Sequence, residues 1–223
     1  MSGLIRPIPS GERNSWEVTV NGQVLYGVNE VRISHPKFGT LAFGQRPERT
    51  QGWIWQEVGG GGMGIVPYLV QEGGLFIGMI QQERHCQGGL IWNIPRGFLE
   101  PSLTHFESAE GEGAEELGID VGERLQPLFG SPGNPNSTFF DTTADGSGFH
   151  YYSFQVLPEE VEGEPPVFRE GLFKPKSTMA ERIVDCRFFP WTMAATVSEQ
   201  FSNVGVARLI AHHQIKGTPL PLG

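Results

Sequence analysis

Between Gly97 and Ile119 the chain specifies a helix whose two ends are both written in local chemistry. Thr104 with Glu107 three residues later forms a capping box, in which each side chain satisfies a backbone N–H of the other residue. Gly118 supplies the stop at the far end, since glycine accepts the left-handed conformation that closes a helix. Inside these limits Glu112, Glu115 and Glu116 stand at i, i+3 and i+4, a spacing that puts three carboxylates on one helical face. Three anions at such close quarters repel one another, and a divalent cation relieves the repulsion. Magnesium prefers oxygen ligands, keeps several waters and is commonly shared with substrate phosphates. A glutamate-rich helical face taken alone is ordinary solvated surface, so the flanking sequence decides what this one is for.

The flanks read mostly as strands. Trp16–Val20 alternates polar and apolar residues, breaks at Asn21-Gly22 and resumes through Gln23–Val28, the sequence form of a tight hairpin. Extended structure continues through Val31–Ser34 and Gln51–Val58, so residues 1–60 read as an N-terminal antiparallel strand unit and 61–223 as the main domain. Gly59–Gly64 has the glycine spacing of a dinucleotide fingerprint, but a strand, Ile65–Val70, follows it instead of a helix, and the glycines read as a flexible joint. Val66–Val70, the turn Glu72-Gly73-Gly74 and Leu75–Gln81 predict a second hairpin, which runs through Arg84 into Leu90–Pro95. After the helix come Leu125–Gly130, a loop at Ser131–Ser137 and an apolar strand at Tyr151–Leu157. Pro158–Pro175 is rich in Glu, Pro and Gly and reads as a mobile loop. Val184–Phe189 predicts a last strand and Ser202–Gln214 a last helix, with Val206, Leu209, Ile210 and His213 on one face. The pattern is that of a mixed α/β fold.

Charge narrows the range of partners. Lys+Arg is 16 against Asp+Glu 25, a formal net charge of -9, and no basic stripe could track a nucleic-acid backbone. A small phosphorylated ligand remains compatible, because a few arginines and a cation neutralise it locally. Cys86 and Cys186 fall in no Cys/His cluster, so neither zinc nor a disulfide framework is signalled. No stretch has the length of a membrane span, and the N-terminus lacks a signal-peptide pattern, which together predict a cytoplasmic protein without a membrane partner.

Gly97, Glu112, Glu115, Glu116, Gly118 and Ile119 stand at the spacings of the Nudix signature, G-x5-E-x7-R-E-U-x-E-E-x-G-U with U a bulky aliphatic residue. Trp92–Pro101 is similar to the strand and loop that precede the box helix in that family, and Gln82-Glu83-Arg84 to the end of the strand before it. The resemblance, strongest over 65–157, implies a mixed sheet sandwiched between helices and metal-dependent hydrolysis of a nucleoside diphosphate linked to another moiety. It further implies Mg2+ or Mn2+ held by Glu112 and Glu116, with Glu115 a further ligand or the group that orients the attacking water. The backbone carbonyl of Arg96 would complete the metal site. Arg84 is the candidate phosphate clamp, and Gly97, Phe98 and Pro132 are further candidates for substrate contact.

Phe129-Gly130-Ser131-Pro132-Gly133 resembles the Ser-Pro-Gly loop of ADP-ribose and nucleotide-sugar pyrophosphatases, a group whose N-terminal strands often form a homodimer. Pro95-Arg96-Gly97 instead resembles diadenosine polyphosphate hydrolases; the ADP-ribose group has support from more segments. In that group a loop after the box can supply a catalytic glutamate, and Glu159, Glu160, Glu162, Glu164 and Glu170 are the candidates here. His212 and His213 show no ligand spacing and read as surface or packing residues.

Three signature positions depart. Leu103 stands in place of the first glutamate, Gly111 of the arginine, and Gly113 of the bulky aliphatic that anchors the helix. The missing pair removes a brace between loop and helix, Gly113 removes a core contact, and each glycine costs a helix interior about 1 kcal/mol relative to alanine. Weak metal affinity or low turnover is the expectation. The alternative is a Nudix domain that binds a nucleotide in a regulatory role without turnover.

Overall fold

In the computed structural model the described residues are 16–28, 30–36, 39–46, 49–57, 61–84, 89–100, 102–130, 148–176, 182–197 and 199–222. The chain divides into an N-terminal unit and a larger unit that begins just before Gly61.

In the N-terminal unit, β1 (Trp16–Val20) and β2 (Gln23–Val28) form the expected hairpin. Asn21 and Gly22 turn it with φ of 49° and 80°, the pair of positive values that a two-residue turn between twisted strands requires. A separate antiparallel sheet joins β3 (Glu30–His35), β4 (Gly39–Arg46) and β5 (Arg49–Glu57). Of these, β4 is absent from the sequence reading, because glycines 39 and 44 interrupt its apolar pattern.

The larger unit is built around β6 (Gly62–Gln71), β7 (Gly74–Arg84), β8 (Gly89–Asn93), β9 (Arg96–Phe98), β10 (Gln126–Pro127), β11 (His150–Val156) and a later strand, Ile183–Pro190. The sheet is mixed: β11 runs parallel to β6, while the other pairings are antiparallel. Glu72 and Gly73, with φ of 51° and 75°, close the β6–β7 hairpin.

That hairpin forks. The pairing of β6 with β7 spans Tyr68–Gln71 on β6; at its other end Gly62–Gly64 pairs with β9, while Ile80–Arg84 of β7 pairs with β8. On the forked side of β6, Pro67 sits between the pairings with β7 and β9, while on the other side it stands opposite Phe154 of β11. The segment that leads into the acidic helix is therefore wedged into the mouth of the fork, with Pro95 O accepting from Ile65 N.

The apolar run of β6 is buried on both faces, as a central strand covered on both sides must be. Met63, Ile65 and Leu69 join Ile80, Tyr152 and Phe154 in a core under Ala109 and Leu117. Val66 and Tyr68 join Ile77, Met79 and Tyr151 in a second core under Val206 and Leu209. The helices responsible are α1 (His105–Glu112) on one face and, after the short α2 (Trp191–Ala194), α3 (Gln200–Ile215) on the other. The sheet lies sandwiched between helices.

Two readings of glycine and loop are corrected. Of the joint expected over Gly59–Gly64, Gly59 and Gly60 lie outside the described residues, while Gly62 and Gly64 are buried strand residues, and a Cβ on Gly64 would meet Ile94 and Phe149 at 3.0 Å. Nor is Pro158–Pro175 a mobile loop apart from the core. Within it β12 (Val161–Glu162) and β13 (Val167–Phe168) pair, and Val161 and Phe168 are buried. Phe168 packs edge-on against Phe188 at 5.0 Å in the last strand, β14 (Ile183–Pro190). A few apolar anchors among many charged and turn residues are invisible to composition but sufficient to dock a hairpin.

Candidate active site

The capping box is present as predicted. Thr104 Oγ1 accepts from Glu107 N at 3.2 Å, and Glu107 Oε2 accepts from Thr104 N at 2.7 Å. The helix then changes pitch. From Gly113 to Leu117 it is π-helical, with the N–H of Gly118 donating to Gly113 O and Gly118 itself left-handed at φ 71°. An i→i+5 bond inserts a residue into the turn, so the i, i+3, i+4 spacing no longer stacks side chains on one stripe.

The three glutamates consequently part company. Glu116 is buried, 3% exposed. Its Oε2 accepts from the Arg96 N–H at 2.8 Å and its Oε1 from Gln82 Nε2 at 3.1 Å. Glu112 lies against Gly97: a Cβ there would overlap Glu112 Oε1, so only glycine lets the carboxylate sit on this backbone. Glu115 faces outward with its side chain 58% exposed, 3.8 Å from Lys176 Nζ. Among the described residues no three His, Cys, Asp or Glu side chains converge as a metal cluster.

Lys174 N and Lys176 N donate to Leu117 O and Glu115 O at 3.0 and 2.7 Å, so the segment after β13 closes the end of the widened turn. Gly118 is pressed against Lys174, where a Cβ would overlap the backbone.

The two substituted glycines of the helix behave differently from expectation. Gly113 does not leave a core contact empty. Val121 fills the space, and a Cβ at 113 would meet Val121 Cγ2 at 2.7 Å, so the aliphatic packing is supplied from the segment that follows the helix and not from the helix itself. Gly111 faces open space. Leu103, in the place of the early glutamate, is 39% exposed.

Of the remaining candidates, Arg84 ends β7 and is partly buried, two residues beyond Gln82 and therefore on the same face of the strand. Phe98 ends β9 and is exposed. Pro132 lies outside the described residues. Among the acidic-loop candidates, Glu160 is already engaged: both its oxygens accept from Arg124 Nη1, at 2.9 and 2.8 Å, and Leu157 N donates to Oε2.

Gln82, buried with its Oε1 lacking a hydrogen-bond partner, carried no role in the sequence reading beyond its place in the flanking text. Its signal was the alternation of β7, which puts it on the face of Ile80 under the acidic helix. The donor set suits magnesium. Glu112 and Glu116 offer carboxylate oxygens beside the Arg96–Gly97 backbone, with the orphaned Gln82 Oε1 close behind Glu116, and magnesium takes one or two protein carboxylates together with water and phosphate.

The NUDIX domain model matches residues 46–206, well over half of the sequence. The chain belongs to the Nudix family. Nudix domains of this kind are hydrolases of nucleoside diphosphates linked to a further moiety, take small nucleotide ligands and generally use divalent metals. The match begins within the N-terminal strand unit, at the last residue of β4.

Solved structures similar to this Nudix chain include a NUDIX hydrolase from Listeria monocytogenes, at 16% identity, 71% of this chain, 96% of that one and a TM-score of 0.46. Another is a mutT/nudix family protein from Listeria innocua, at 18% identity, 71% and 96% coverage and a TM-score of 0.45. The NUDIX domain of Shewanella oneidensis NrtR, in complex with ADP ribose, matches at 11% identity, 70% and 86% coverage and a TM-score of 0.41. No curated protein matches the sequence. No helix among the described residues is long and apolar enough to cross a membrane.

Proposed function

We propose that this Nudix domain is a magnesium- or manganese-dependent pyrophosphohydrolase that cleaves ADP-ribose or a related nucleoside diphosphate derivative into two phosphorylated products. The observation that carries the reading is the seating of two box carboxylates on one backbone step, Glu112 on Gly97 and Glu116 on the Arg96 N–H.

Glu112, Glu116 and the Arg96 carbonyl would hold the cation. When bound, the metal neutralises the pyrophosphate and lowers the pKa of a water toward the range of a nucleophile. Glu116 is kept in place by Arg96 N–H and Gln82. Arg84, on the same face as Gln82, binds a phosphate oxygen. Glu115 is the exposed carboxylate next in line; freed from Lys176, it orients or accepts the proton of the attacking water. The substrate class rests on the likeness of Phe129–Gly133 to the ADP-ribose group, and by the same likeness residues 1–60 serve as a dimerisation unit separate from 61–223.

A second reading, a nucleotide-binding regulatory domain without turnover, is favoured by Glu115 standing apart from the other two carboxylates. One assay separates them. Purified protein with Mg2+ or Mn2+ is given ADP-ribose, nucleotide sugars, NADH and diadenosine polyphosphates. The enzyme reading expects product from at least one, lost by a factor of at least about 100 in Glu116→Gln. Saturable binding with no product from any of them would establish the second reading instead. A monomer by light scattering would remove the dimerisation role.

A further inference from the structure

The Nudix box of this chain lacks the glutamate and arginine that brace its loop in the signature, yet Arg96 N–H still meets Glu116 squarely. The support comes from the opposite face of the sheet. Ile94 N donates to Ser202 Oγ at 3.0 Å, in the first turn of α3. Ser202 Oγ in turn donates to Glu199 Oε2 at 2.7 Å, and that same oxygen accepts from Ser202 N, also at 2.7 Å. Glu199 Oε1 accepts from Phe201 N at 3.2 Å and lies 3.8 Å from Arg96 Nε. The Arg96 guanidinium rests over the Phe201 ring, 4.8 Å from its centroid.

Both Glu199 and Ser202 are buried. Helix α3 comes this close because Gly205 faces the sheet: a Cβ there would meet Ile94 and Val66 at 3.0 Å. An N-capping side chain ordinarily accepts only from backbone N–H groups of its own helix. Here the capping carboxylate also accepts from the Ser202 hydroxyl that receives the Ile94 N–H, and lies 3.8 Å from the guanidinium of Arg96, so it meets the segment entering the box on either side of Pro95.

We infer that Glu199 is a positioning residue for the Nudix centre: through Ser202 and Arg96 it holds the 94–96 segment, and that segment holds Glu116. The functional consequence rests on the metal-site reading above, while the positioning itself does not. Groups that hydrogen-bond a metal ligand typically change metal affinity by about 10- to 100-fold when altered, and a residue acting through one further contact falls at the lower end of that range.

The test compares metal-free wild type, Glu199→Gln and Ser202→Ala by amide hydrogen exchange, followed by Mn2+ titration. The expected result is faster exchange at Arg96, about tenfold, in both variants, with Tyr152 and Phe154 of β11 unchanged, and a Mn2+ affinity weaker by about tenfold. Ser202→Ala keeps the Glu199 cap of the helix and decides the matter should Glu199→Gln fail to fold. Unaltered Arg96 exchange in a folded variant overturns the inference. A wild type that binds no Mn2+ overturns the metal-site reading, and the exchange result still decides whether Glu199 positions Arg96.

Discussion

Gly111 and Gly113 lie two residues apart on the box helix, but a methyl group added at each meets different surroundings. At 111 it would project into open space from helical backbone. Gly111→Ala should therefore stabilise the protein by about 0.5–1 kcal/mol, through lower unfolded-state entropy and better helix propensity, with no change in activity. At 113 the methyl group would lie 2.7 and 3.1 Å from the two methyls of Val121. Overpacking of that kind costs about 1–3 kcal/mol and outweighs the helical gain. Gly113→Ala should destabilise by about 1 kcal/mol, and Val121→Ala in the same chain should recover part of the loss. Urea unfolding of the four proteins checks the pair; equal shifts at 111 and 113 would show that Val121 does not occupy the place of the missing aliphatic.

The elements around the box acquire their roles by docking on one another. The β12–β13 hairpin, rich in acidic and turn residues, is attached by Val161 and Phe168, and Phe168 meets both Phe188 and Phe173. Truncating a buried phenylalanine costs about 3–5 kcal/mol, so Phe168→Ala should lower the urea midpoint strongly. A loss below about 1 kcal/mol would return the segment to the status of a surface loop. Because the chain leaves this hairpin to run along the π-helical turn through Lys174 and Lys176, the same substitution should also weaken metal binding. The capping box and the hairpin turns were legible because each is a relation between residues at most three apart. The π-helical turn was not: no local spacing marks it, and two of its carbonyls, Glu115 O and Leu117 O, are satisfied from residues more than fifty positions further on.

At the scale of the whole molecule, the pH dependence of stability follows from histidines whose pKa the fold lowers. Burial holds His212 below the ordinary histidine value of 6.5, and the charges of Lys216 and His213 act in the same direction. Its Nδ1 accepts from Phe129 N at 3.2 Å, a bond that protonation would destroy. Partial burial likewise lowers His105, with the neighbouring His150 adding to it, and His213. A depressed folded value means that the unfolded chain binds more protons, so this stability is full above about pH 6.5 and is lost as the pH falls through the folded values. The melting temperature should drop between about pH 7.5 and pH 5, and His212→Gln, which keeps an acceptor and cannot titrate here, should reduce that drop. An unchanged drop would assign the pH dependence to other groups. By itself the sequence determined the family, the mixed sheet between helices and the capped helix that carries Glu112 and Glu116, because periodicity, caps and motif spacing act over a few residues. Only the tertiary structure decided that Glu112 sits on Gly97 and Glu116 on the Arg96 N–H and Gln82, that Glu115 is exposed, that Val121 fills the space over Gly113, and that Glu199 reaches Ser202 and Arg96. Those relations join residues that are distant in sequence, and the only force that selects them is the packing of one element against another.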